Sequence, residues 1–231
     1  MPSPDIPQVE QVIVEMTNAV RKQHKLGEVK PDPKLTATAR SYARFLAQSQ
    51  MFSHTADGRQ PSDRAKAAGY EPCFVSENLS SNLDTRGFET RQLARDAVQG
   101  WMNSPGHRKN MLTEHVVDIG VAVAKVTAQE KYISVQVFGR PYAMAYSFRI
   151  DNGAAQTVHY DFLGQAHEIS ARYMSEHTAC LPGEITFRAS ANANAVIGRY
   201  QARDGDVFAL RRGEKGNVVV DVKRSEKKAS R

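Results

Sequence analysis

Gly100-Trp101-Met102-Asn103-Ser104-Pro105-Gly106-His107-Arg108-Lys109-Asn110-Met111-Leu112, with Asp118-Ile119-Gly120-Val121-Ala122-Val123 close behind, is the stretch that decides the fold. Leu93, Ala94, Ala97, Val98, Trp101 and Met102 repeat at the spacing of one buried helix face just before it. Ser104-Pro105-Gly106 then breaks that helix, since proline lacks an amide hydrogen and glycine tolerates unusual dihedrals. His107 follows the break, and the β-branched run after it reads as a central strand. Helix, forced turn, histidine, strand is a layout that puts a chemically useful side chain on a rigid support.

Working outward, Val9, Val12, Ile13, Met16 and Val20 mark a first amphipathic helix ending near Gly27. Leu35, Ala39, Tyr42, Ala43 and Leu46 mark a second, reaching about Gln50, so that His54 sits just past a helix terminus. Pro61 to Ala68 reads as a short helix closed by Gly69, and Cys73 to Leu79 as an extended segment carrying Glu77. Downstream, 119–126 is almost continuously apolar, as expected of a strand covered on both faces, and Ile133, Val135 and Val137 alternate with Tyr132, Ser134 and Gln136. The order of helices and strands places residues 1–140 in the α/β class, as an α–β–α sandwich.

Beyond Pro141 the pattern changes. Short alternating runs at 146–150, 157–163, 168–173, 184–188, 196–202, 206–210 and 217–222 are separated by turn residues such as Asp151-Asn152-Gly153 and Pro182-Gly183. About seven short strands at this spacing predict a small all-β sandwich over 141–223, with a basic tail at 224–231.

Three motifs stand in one order: Met51-Phe52-Ser53-His54-Thr55, Ser76-Glu77-Asn78-Leu79, and Trp101 to Leu112 with Ile119-Gly120-Val121. Together they resemble the bacterial branch of the CAP superfamily, which comprises SCP-like cysteine-rich secretory proteins, antigen five and pathogenesis-related proteins. The resemblance covers roughly residues 8–139. It implies the same α–β–α sandwich and a central cleft in which His54 and His107 face one another beside Glu77. Two imidazoles and a carboxylate make a ligand set suited to zinc with a position left for water. Asn78 and Asn110 are then candidates to orient the ligands or to close a turn. The chain departs from many eukaryotic relatives, which carry a second Glu a few residues after the helix tryptophan. Met102, Asn103, Ser104 and Pro105 stand there, and Glu114 is on the wrong side of His107. One acid fewer implies a weaker hold on a dication.

Composition bounds the rest. With 41% hydrophobic and 24% charged residues, the chain is an ordinary globular protein, and no apolar run approaches the ~20 residues of a membrane span. A net charge of +6 raises nucleic acid or anionic surfaces as partners. Lys and Arg are scattered among acids, however, and no stacking aromatics accompany the dense run 223–228, so no specific nucleic-acid groove is expected. Cell-surface association through charge remains open. Cys73 and Cys180 either form a bridge or lie buried as free thiols. Residues 1–7 lack the apolar core of a signal peptide, so the chain is cytoplasmic or has lost its leader; the resemblance favours a secreted or periplasmic protein. No Walker loop, dinucleotide fingerprint or Gly-x-Ser-x-Gly elbow is present. His177-x-x-Cys180 looks like half a metal site without its second half.

The expected function is therefore an exported, non-enzymatic CAP-like module that binds a divalent metal and presents a surface to a lipid, glycan or protein. The alternative is a zinc-dependent peptidase or esterase with Glu77 as base or ligand.

Overall fold

The computed structural model describes residues 3–191 and 195–224. The tail expected at 224–231 lies outside these residues except for Arg224. The chain divides into two compact units, Met1–Met144 and Ala145–Arg231.

The first unit begins with α1, Ile6–Gln23, whose N-cap Asp5 accepts from the Gln8 backbone and whose last turn carries Arg21 and Lys22, matching the helix dipole at both ends. Strand β1 is the pair Lys30–Pro31, and α2 is Pro33–Ser49, capped by Asp32, which accepts from Lys34 and Leu35 at 2.9 Å. The short α3, Pro61–Ala67, starts on a capping box between Gln60 and Asp63. Then come β2, Pro72–Leu83; α4, Thr90–Asn103; α5, Pro105–Met111; β3, Asp118–Lys125; and β4, Lys131–Pro141.

The strands form one sheet in the order β1-β3-β4-β2, parallel only between β1 and β3. Side chains on β3 alternate between its two faces. Ile119, Val121 and Val123 pack with Val9, Ile13, Leu93, Ala97 and Trp101 of α1 and α4. Ala122 belongs to the opposite core, with Leu35, Ala39, Tyr42 and Leu46 of α2 and with Ile133, Val135 and Val137 of β4. Helices therefore cover both faces of the sheet, which is the α–β–α sandwich. Gly120 marks how close α2 comes: a Cβ there would lie 2.1 Å from the Leu35 carbonyl carbon.

One expectation is corrected here. Pro105 does not lead into a loop; it is the first residue of α5, so His107 stands on a helix. The missing N–H of proline costs nothing at a helix start and its fixed φ favours one, so the break and the new helix share a cause.

The second unit contains β5 (Tyr146–Asn152), β6 (Val158–Phe162), β7 (Gln165–Ile169), β8 (Met174–Ala179), β9 (Glu184–Arg188), β10 (Val196–Gln201), β11 (Val207–Arg212) and β12 (Val218–Lys223). Two four-stranded sheets result, β10-β9-β6-β7 and β12-β11-β5-β8, closed over a core that includes Phe148, Ile150, Tyr160, Phe162, Ile185, Phe187 and Phe208. The strand expected over 168–173 is instead the end of β7 and a connection, and β8 follows it. Met174-Ser175-Glu176-His177-Thr178-Ala179 has no apolar alternation because it is an edge strand whose outward positions are exposed. Cys73 and Cys180 are both disulfide-bonded; neither thiol is free.

Candidate functional site

His54 lies in the turn after α2, and its backbone is fixed before its side chain acts. The Tyr42 hydroxyl donates to the Ser53 carbonyl and accepts from the Ala56 amide at 3.1 Å, while Arg64 Nη2 donates to the His54 carbonyl at 3.0 Å. The imidazole itself is half exposed, at 48%, whereas the Glu77 side chain beside it is 1% exposed. His54 Nδ1 sits 2.9 Å from Glu77 Oε1. The second carboxylate oxygen, Oε2, accepts from Arg64 Nη2 at 2.8 Å.

Arg64 carries no signal in the local sequence pattern. Its side chain is 3% exposed and lies between two carboxylates, with Nη1 donating to Asp57 Oδ1 at 2.8 Å as well as to the Arg59 carbonyl. The guanidinium carbon stands 3.5 Å from the Tyr42 ring centroid, a cation–π contact in a dry setting. Burial works to raise the Asp57 carboxyl, but the Arg59 amide, the Arg64 charge and the Arg59 side chain outweigh it and hold it below the usual range. Removing several kcal/mol of hydration from each of these ions is tolerated because every strong acceptor faces a donor.

His107 rises from α5 with its ring centroid 6.4 Å from that of His54, tilted at 53°. Burial, and next the His54 charge, push its pKa down from the ordinary value, favouring the neutral imidazole. The placement of α5 is set from both ends. Asn78 Nδ2 donates to the His107 carbonyl at 3.2 Å, and Asn110 Nδ2 donates to the Glu77 carbonyl at 3.1 Å and to Asn78 Oδ1 at 2.9 Å. At the far end Arg21 Nη1 donates to the Met111 and Thr113 carbonyls at 2.9 Å, satisfying groups a helix terminus leaves open. Asn78 also donates to Gln136 Oε1 at 3.0 Å, and Gln136 donates to Thr17 Oγ1 at 2.9 Å, so one buried polar chain links α1, β4, β2 and α5. Gln136 and Thr17 left a weak trace in the sequence, as polar residues inside otherwise buried elements.

The three motif residues thus come together, but not as three equivalent donors. Both oxygens of Glu77 are engaged, one by His54 and one by Arg64. Among the described residues no three His, Cys, Asp or Glu side chains are grouped so as to hold a metal ion. His54 and His107 face one another with ring centroids 6.4 Å apart, and Glu77, bonded on both oxygens, does not complete a closed three-ligand site. In that arrangement Glu77 would be the carboxylate behind the histidine, fixing its tautomer, and not a ligand.

A model of the cysteine-rich secretory protein family, CAP, matches residues 14–138. The chain belongs to this family. The matched region lies within the sheet-and-helix unit just described, from the middle of α1 into β4. "Uncharacterized protein YkwD" of Bacillus subtilis is 31% identical over 113 residues, 48% of this chain and 41% of that one. "Uncharacterized membrane protein YlbC" of the same organism is 26% identical over 125 residues, 54% of this chain and 34% of that one. The chain therefore spans less than half the length of these relatives. Among solved structures, an outer surface protein from Borrelia burgdorferi superposes with a TM-score of 0.50 at 23% identity, over 58% of this chain and 92% of that one. That likeness concerns the CAP fold alone. No helix among the described residues is long and apolar enough to cross a membrane.

Proposed function

We propose that the CAP unit is an exported, non-enzymatic recognition module whose ligand- or partner-binding surface is centred on His54 and His107, with a divalent ion held weakly between the two imidazoles. The observation that carries this reading is the engagement of Glu77. Its carboxylate is buried and bonded on one oxygen by His54 and on the other by Arg64, which leaves no free general base beside the histidines. Export is supported by the cysteines, both disulfide-bonded, as is usual in oxidising compartments. The His54 ring is open to solvent and Nδ1 is spoken for, so Nε2 is the nitrogen it offers.

Zinc titration by calorimetry tests the reading. Weak binding is expected in the wild type, with the heat from this pair removed by His54→Ala or His107→Ala. An isotherm that neither substitution changes would discard the metal part. Glu77→Gln should weaken binding without abolishing it, because it loosens the orientation of His54 and removes no ligand.

The one feature that favours hydrolysis is the same 2.9 Å contact of carboxylate and imidazole. A bound dication would supply an acidified water, and His54 and His107 would hold it. Turnover of a peptide or ester panel, abolished by both a chelator and His54→Ala, would replace the non-enzymatic reading with that one.

A further inference from the structure

A second pair of imidazoles lies in the β unit, apart from anything the CAP family model covers. His167 on β7 and His177 on β8 stand on edge strands of the two facing sheets. Register explains how they meet. Leu163 and Gly164, at φ of +49° and +77°, turn β6 directly into β7 and set Tyr160 opposite His167. The connection to β8 then crosses to the other sheet, anchored by buried Asn152, whose Nδ2 lies 3.0 Å from the carbonyls of Ile169 and Ser170. His177 arrives with its ring 5.4 Å from that of His167, at 76°.

The surroundings hold both rings still. His167 stacks on Tyr160 at 5.0 Å, and His177 stacks on Phe148 at 5.1 Å. Tyr160 Oη is 2.7 Å from His177 Nε2, and Ser175 Oγ lies 3.4 Å from the same nitrogen. Two imidazoles and a phenol oxygen thus share one partly buried corner at the rim of an aromatic core, where hydrocarbon would seal the sandwich better.

We propose that His167, His177 and Tyr160 form a site for a first-row transition-metal dication of the zinc and copper class, which clips the two sheets together. Imidazole is a preferred ligand of these ions, with metal–nitrogen bonds of about 2.0–2.1 Å; two rings on one tetrahedral ion have centres roughly 5 Å apart. The observed 5.4 Å is close to that without rearrangement of either strand. On binding, His177 exchanges the contact of its Nε2 with Tyr160 Oη for a bond from that nitrogen's lone pair to the ion. The Tyr160 O–H bond breaks, its oxygen becomes the third ligand, and one proton goes to solvent.

The experiment uses the full-length chain, free of affinity tags, with His54→Ala and His107→Ala to remove the other pair. Zinc chloride is titrated by calorimetry in two buffers of different ionisation heat. One ion per chain is expected, with about one proton released. His167→Gln in the same background should weaken binding about 10–100-fold, the scale on which metal sites respond to loss of a supporting group or more. Tyr160→Phe should abolish the proton release. No heat in the parent, or an unchanged isotherm after His167→Gln, would overturn the proposal. A readout independent of any substitution is the ultraviolet difference spectrum of the parent: a phenolate band rising with zinc supports the three-ligand site, and its absence at saturation removes it.

Discussion

The molecule holds two histidine pairs, and they are built in opposite ways. His54 and His107, 6.4 Å apart, are backed by ions: a buried carboxylate, a buried guanidinium and a chain of amides. His167 and His177, 5.4 Å apart, are backed by aromatic faces and by the hydroxyls of Tyr160 and Ser175. In the first case burial of charge is made tolerable by pairing each group; in the second there is almost no charge to pair. The comparison teaches that the same two residues can be positioned by electrostatics or by packing, and the two should fail differently.

The largest difference should come from Arg64→Met. It leaves the buried Glu77 and Asp57 carboxylates without their shared cation, and loss of one partner of a buried pair costs about 3–5 kcal/mol. Urea unfolding followed by Trp101 fluorescence should show the CAP unit weakened to that extent. A change below ~1 kcal/mol, the scale of an exposed pair, would mean the ionic backing is dispensable. Phe148→Ala is the counterpart in the β unit. Removing a buried aromatic costs about 3–5 kcal/mol and takes away the surface on which His177 stacks, so zinc binding there should fall with stability. Unfolding of the β unit monitored by tyrosine fluorescence checks the first part, calorimetry the second.

Acid should weaken both units, since burial depresses His107 and His177 alike. The unfolded chain takes up protons first as pH falls through about 6.5, so the stability these groups allow is complete above that pH and declines below it, levelling off under the folded pKa. His107→Gln should flatten this dependence in the CAP unit alone, and His177→Gln in the β unit alone, read from thermal melts between pH 7.5 and 5, a window chosen around about 6.5. The smallest effect belongs to His54→Ala. A half-exposed side chain whose carboxylate partner keeps Arg64 should cost no more than about 1 kcal/mol in a denaturant midpoint, while removing the zinc heat of its site.

Much of this was legible before the structure. The apolar stripes of α1, α2 and α4 and the doubly covered β3 follow from periodicity, and three short motifs brought positions 54, 77 and 107 to one place. Arg64 was not legible. It sits in the polar run Ser62-Asp63-Arg64 of a short helix, where local pattern reads as a solvated surface, and only its distant partners Glu77 and Tyr42 make it buried. The helix that carries His107 is masked in the local pattern, because Pro105 both interrupts α4 and starts α5. His177 has no second half near it in sequence, because its neighbour is His167 on the opposite sheet.

The sequence alone determined the family, the order of helices and strands, and the residue types available for chemistry, because periodicity and turn preference act within a few residues. Tertiary structure alone decided which ionisable groups are dry, which nitrogen of His54 is free, and that two edge strands carry their histidines to one corner. Those outcomes depend on dielectric and register, and both are properties of segments far apart in the chain.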